Sequence, residues 1–184
     1  MSPVVVDELW LARYAHVTRN AVLGYWQRQG SCIASVNVGL RVARYFGVPA
    51  HPQPVAVAYR SATHSLGTYA TGVVDRTRGR WDGHLVAIID DRWLVDLSAD
   101  QFDRPGRGLR VTRPVITGWE PATGDGSFHD PEHEVTATFR RVHDTSFKRA
   151  PDWTWYPALV GAAAGMAIRA LKTAAPYMRT GVTR

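Results

Sequence analysis

Apolar positions along this 184-residue chain change period several times, and the changes mark out its elements. Val6, Leu9, Trp10, Tyr14, Val17, Ala21 and Tyr25 follow spacings of three and four, with Asp7 and Glu8 at the front. That spacing predicts a helical segment over 5–27, either one helix or two with a break near Thr18–Asn20. Ile33, Val36, Leu40, Ala43 and Phe46 repeat the pattern between Ser31, a helix N-cap residue type, and Gly47-Val48-Pro49, a helix stop. Asn37, Arg41 and Arg44 fall on another face of that helix. His51-Pro52-Gln53-Pro54 reads as a breaker, Val55–Tyr59 as a strand, and residues 60–80 as an irregular connection with a short strand near 69–74. Leu85–Ile89 is an unbroken apolar run, as in a strand buried on both faces; Asp90-Asp91 is a turn and Arg92–Leu97 a returning strand.

Ser98–Phe102 reads as a capped turn with Phe102 tucked under the sheet, and Val111–Trp119, which contains Pro114, as an edge strand. Thr123–His133 is polar and reads as a loop, whereas Glu134–Val142 alternates like a half-buried strand. An Ala-rich helix is expected over 158–177, with Leu159, Ala163, Met166, Ala170 and Leu171 facing the body. Helices followed by antiparallel strands make the fold class α+β. The length suits one domain, 1–184, with a core at about 27–142, a helical segment at 5–27 and a C-terminal helix at about 157–177.

Composition changes this picture little. A net charge of +6 raises the question of a polyanionic partner. Lysine stands only at 148 and 172, so 20 of the 22 basic residues are arginine, and these are scattered in small groups. No dense basic run marks a nucleic-acid tail, so nucleic acid is not read as a partner. The apolar stretch Ala158–Ile168 is too short to cross a bilayer, which argues against a membrane association. The start of the chain lacks a basic n-region and its apolar run is cut by Asp7-Glu8, so a secretory signal is not read. With one cysteine there is no internal disulfide, and a cytoplasmic location is expected.

That cysteine carries the candidate chemistry. Cys32 stands where the second helix begins, where unpaired backbone N–H groups and the helix dipole favour thiolate over thiol. His84 opens the buried strand, and Asp96 lies in the returning one, each six residues from Asp90. A hairpin turning there brings the two side by side. Cysteine, histidine and aspartate in this order are a nucleophile, its base and the group that orients the base. Asp100 is the alternative orienter if the hairpin register differs, and Asp82 is a weaker one, since it sits beside His84 and points elsewhere.

The pattern resembles the transglutaminase-like core of the papain-like cysteine enzyme superfamily. Gly30, Cys32, Gly47-Val48-Pro49-Ala50, His84, Trp93 and Asp96 carry the resemblance, which covers roughly residues 27–102. It implies a papain-like arrangement in which a nucleophile helix packs on an antiparallel sheet, with Cys32, His84 and Asp96 in the three roles. Papain-like enzymes also place a Gln shortly before the cysteine as an oxyanion donor. Gln27 and Gln29 are the two candidates here, although neither spacing matches cleanly.

The expected activity is acyl transfer through a thioester, with hydrolysis of a peptide, isopeptide or amide bond as the leading form. A peptide or protein substrate and no cofactor go with it. Transglutaminase-type or arylamine-type acyl transfer, and a non-enzymatic binding module that keeps the fold, are the alternatives. His129-Asp130-Pro131-Glu132-His133 brings two histidines close in sequence, but Pro131 argues against the helix that would align them, and no metal site is assigned.

Overall fold

In the computed structural model, residues 4–26, 31–68, 74–75, 80–81, 83–149, 153 and 156–174 are described. The fold is α+β. Helix α1, Glu8–Leu23, starts at Asp7, whose carboxylate accepts from the Trp10 backbone N–H at 2.7 Å. Helix α2 is Cys32–Tyr45 and helix α3 is Pro157–Ala174. The chain leaves α2 through Gly47, whose φ of 72° suits glycine.

The main strands are β1 Ala50–Arg60, β2 Ser65–Thr68, β5 His84–Ile89, β6 Trp93–Asp96, β7 Val115–Gly118, β8 Asp125–Asp130 and β9 Val135–Arg141. Every pairing is antiparallel, in the order β7-β6-β5-β1-β9-β8, with β2 beside β1. The sheet curls almost into a barrel, because β8 returns to β7, where the Thr117 hydroxyl donates to the Ser127 carbonyl. Gly126 permits that approach: a Cβ there would stand 3.2 Å from the Gly118 carbonyl oxygen. A short ribbon, β3 Val74–Asp75 with β4 Arg80–Trp81, lies apart.

Strand β5 is buried at all six residues. Leu85, Ala87 and Ile89 join the core under the helices, while Val86 and Ile88 join the core inside the curled sheet. Two covered faces are why this strand is apolar throughout. Strand β9 has one covered face, so Val135, Ala137 and Phe139 are buried and Thr136, Thr138 and Arg140 are exposed.

Several sequence expectations shift here. Strand β1 runs straight through His51-Pro52-Gln53-Pro54, which reads as a breaker in sequence. Beyond β5, β1 pairs with its second neighbour, β9, only from Val55 onward, so Pro52 lies where one edge is open and Pro54 at the last contact, where its carbonyl accepts from the Val142 N–H at 3.0 Å. The polar stretch after Thr123 contains β8. Helix α1 continues unbroken through Thr18–Asn20, and its buried side is turned from the expected one: Thr18 and Arg19 are inside, Leu9 and Tyr25 outside. The same rotation affects α3, which buries Val160, Ala163, Ala164, Ala167 and Leu171 and exposes Leu159 and Met166. Helix α3 docks on the body, and Asn37 and Arg41 of α2 donate to the Trp153 and Pro157 carbonyls that lead into it. Among the described residues, no helix is long and apolar enough to cross a membrane.

Candidate active site

Cys32 is the first residue of α2, buried to 6 % exposure. Ser31 occupies the cap position, but its hydroxyl makes no capping bond and instead accepts from Arg19 Nη1 at 2.7 Å. The same nitrogen donates to Ser35 Oγ at 3.1 Å, one turn into the helix. Arg19 Nη2 reaches Asp100 Oδ1 at 2.7 Å, with both side chains nearly enclosed. One guanidinium thus ties α1, the start of α2 and the 3-10 turn Ala99–Phe102 together, which fixes the cysteine-bearing end of the helix.

His84 and Asp96 meet within the curled sheet. Nε2 of His84 lies 2.8 Å from Asp96 Oδ2, at 1 % and 0 % side-chain exposure. Their ladder register is not the one the symmetric hairpin implies. Asp90 and Asp91 both adopt left-handed φ, at 53° and 51°, and Arg92 bonds back to Ile89, after which the ladder pairs Ile89 with Trp93 and Ala87 with Val95. Asp96 therefore faces His84 diagonally, a separation that these two side chains span. The carboxylate is further held by the Tyr59 hydroxyl at 2.8 Å and by the Ser98 N–H at 3.0 Å. Phe102 packs edge-on against the His84 ring, 5.1 Å between centroids.

Burial by itself works to lower the His84 pKa. The charge and hydrogen bond of Asp96, followed by the hydrogen-bonding Cys32 side chain, overcome it and raise the pKa to about 10. Burial likewise works to raise that of Asp96, whereas His84, Tyr59 and the Ser98 N–H together lower it. Both directions describe an ion pair whose partners satisfy each other.

Asp100, the alternative orienter, pairs with Arg19 rather than His84. Asp82, Gly30 and the oxyanion candidates Gln27 and Gln29 lie outside the described residues. Two participants escaped the sequence reading. Arg19 gave only a weak signal, an arginine on the apolar side of a helix. Gln101 gave none; its side-chain amide nitrogen lies 2.9 Å from His84 Nδ1. Gly83, just before His84, has a steric reason to be glycine: a Cβ there would come within 2.1 Å of the Trp81 indole, which is itself anchored by its N–H to Asp144 Oδ2 at 2.9 Å.

Elsewhere, Asp130, Glu132 and His133 bring their ligand atoms within 4.8 Å of one another, but the Glu132 N–H and His133 Nδ1 already bond to Asp130, and His129 is not part of the group. An open depression of about 840 Å³ between Ala56, Thr117, Asp125 and Arg140 is not lined by Cys32, His84 or Asp96.

No protein-family model and no curated protein matches this chain. A solved crystal structure of a genomics target is similar to it at TM-score 0.54, with 13 % identical residues over 92 % of this chain and 82 % of that one. That likeness concerns the fold alone.

Proposed function

We propose that the protein is a cysteine-dependent acyl-transfer enzyme of the transglutaminase-like, papain-like type, cleaving a peptide, isopeptide or amide bond through a thioester on Cys32. The observation that carries this reading is the enclosed His84–Asp96 pair standing against a lone cysteine at a helix start. Because Nε2 is engaged by Asp96, Nδ1 is the basic nitrogen. With Nδ1 carrying the proton, as the raised His84 pKa favours, the Cys32 thiolate attacks the carbonyl carbon while the C=O π electrons move onto oxygen. Collapse of that intermediate breaks the C–N bond, and the Nδ1 proton goes to the departing amine. Water then attacks the thioester and gives a proton to Nδ1; the C–S bond breaks, the carboxylic acid leaves, and the thiolate–imidazolium pair is restored.

Alkylation of Cys32, the sole cysteine, by iodoacetamide at pH 6.5 tests the proposal. His84→Ala is expected to slow it on the order of 10²-fold, read as mass gain of the intact protein. Equal rates in both proteins would leave a binding module that keeps the fold.

A further inference from the structure

Tyr59 stands in β1, on the side of the strand that joins the core inside the curled sheet, and it is fully enclosed. Phe102 stacks on its ring at 4.7 Å and Phe139 meets it edge-on at 6.1 Å, so a phenylalanine would fill the same space. The hydroxyl is what a phenylalanine would lack, and a buried hydroxyl needs a partner. That partner is Asp96 Oδ2 at 2.8 Å, the same oxygen that His84 Nε2 approaches at 2.8 Å. The other oxygen, Oδ1, takes the Ser98 N–H at 3.0 Å and the Ser98 hydroxyl at 3.4 Å. The direction of the Tyr59 bond is fixed. Burial and the Asp96 charge hold the phenol well above its ordinary range, so it keeps its proton, and an ionised carboxylate only accepts.

Two donors on one carboxylate oxygen compete. Each draws off some of the negative charge that holds the other, so the Tyr59 bond is stronger beside a neutral ring than beside an imidazolium. The hydroxyl therefore works against the pull of Asp96 on the His84 charge. We propose that Tyr59 is a positioning residue: by sharing Asp96 Oδ2 with His84 it weakens the carboxylate's hold on the ring, and so eases release of the Nδ1 proton to the departing amine. A general acid serves best when its pKa lies near the working pH, and Asp96 without Tyr59 would carry His84 further from it. The titratable and charged groups around the pair are Cys32 from α2, Tyr59 from β1 and Asp100 from the 3-10 turn, the last held by Arg19 of α1. Arg110, Arg113 and Asp130 line a small recess beside Tyr59. The inference rests on the acyl-transfer reading above, and no bond beyond those of its acylation step is made or broken.

NMR titration of His84 through its ring C–H resonances, assigned by their loss in His84→Ala, reads the effect without a substrate. The midpoint, about 10 in the wild type, is expected about one pH unit higher in Tyr59→Phe. Tyr59→3-fluorotyrosine, whose more acidic hydroxyl is the stronger donor, is expected to lower it. At pH 6.5, where the ring carries both protons, the Nε2–H resonance is expected further downfield in Tyr59→Phe and further upfield in the fluorinated variant. Loosened packing would not move the two variants in opposite directions. If Tyr59→Phe fails to fold, the fluorinated variant carries the test by itself. Resonances and midpoints that stay in place, or that move the same way in both variants, overturn the inference. The alkylation of wild type and His84→Ala is read alongside. If those two alkylate alike, the acyl-transfer reading itself falls; if they differ and the NMR changes are missing, only the role of Tyr59 falls.

Discussion

Two histidine–aspartate pairs in this molecule have nearly the same separation and very different surroundings. His84 Nε2 lies 2.8 Å from Asp96 Oδ2, and His133 Nδ1 lies 3.0 Å from Asp130 Oδ2. The first pair is sealed on every side, by the Tyr59 hydroxyl, the Ser98 N–H, the Phe102 ring and the Gln101 amide. The second sits in the β8–β9 turn, where His133 is 27 % exposed and Arg113 stands 3.9 Å from the same carboxylate. For Asp130, burial pushes upward and His133, the Glu132 N–H and Arg113 pull the pKa down, the two sequence neighbours His133 and Glu132 ahead of Arg113. A short distance is thus common to both. What separates them is solvent: in the enclosed pair each group has only the other and a few fixed donors to hold its charge, so the pair is costly to break and its protonation is set by the fold.

Removing the acid of each pair opens that comparison widest. Asp96→Asn leaves a buried imidazole without its counter-charge and is expected to cost about 3–5 kcal/mol in urea unfolding. Asp130→Asn, in the turn pair whose histidine is partly exposed, is expected to cost less, about 1 kcal/mol. Similar losses in the two variants would mean that enclosure contributes little.

The next largest effect is in the pH dependence of stability. His84 titrates at about 10 in the folded chain against about 6.5 unfolded, so its contribution is whole below pH 6.5 and is lost as pH rises toward 10. Asp96 is lowered, so its contribution is whole above about pH 4 and is lost as pH falls further. The urea midpoint should therefore hold between about pH 4 and 6.5 and decline above that by an amount on the order of a few kcal/mol in free energy. Asp96→Asn should flatten the alkaline decline. A decline of unchanged size in that variant would assign it to other groups.

The smallest effect probes how the enclosure is built. Gly83→Ala drives a methyl into the Trp81 ring, which a well-packed site accommodates only by shifting the indole or the start of β5. The expected loss is about 1–3 kcal/mol, with Trp81 fluorescence reporting the displacement. Full stability in this variant would show that the wall beside His84 gives way easily.

How far the site could be read from sequence varied by residue. Cys32, His84 and Asp96 were legible because each stands at an element boundary marked by local chemistry: a cap and stop around the helix, an apolar run, an acidic turn. The exact register of the hairpin was not, because two adjacent left-handed aspartates shift the ladder in a way that composition does not encode. Arg19 and Thr18 looked like breaks in an amphipathic helix, and only the carboxylate of Asp100, 81 positions later, explains why an arginine belongs inside. The exposed sides of α1 and α3 were misjudged for the same reason: each helix is gripped by neighbours whose angle the periodicity does not contain.

What the sequence by itself determined was the three helices, the buried hairpin and the half-buried strand near the end of the sheet, with Cys32, His84 and Asp96 at element ends. Hydrophobic period, caps and turns act over a few residues, so they survive without knowledge of the rest. What only the tertiary structure decided was enclosure and partnership: that Asp96 rather than Asp100 meets His84, that Arg19 ties down the start of α2, and that Gln101 meets Nδ1. Those outcomes depend on which side chains arrive at one point from β1, β5, β6, α1, α2 and the 3-10 turn. In a dry interior a hydrogen bond or charge pair is governed by what else is present there, and no local stretch of chain carries that information.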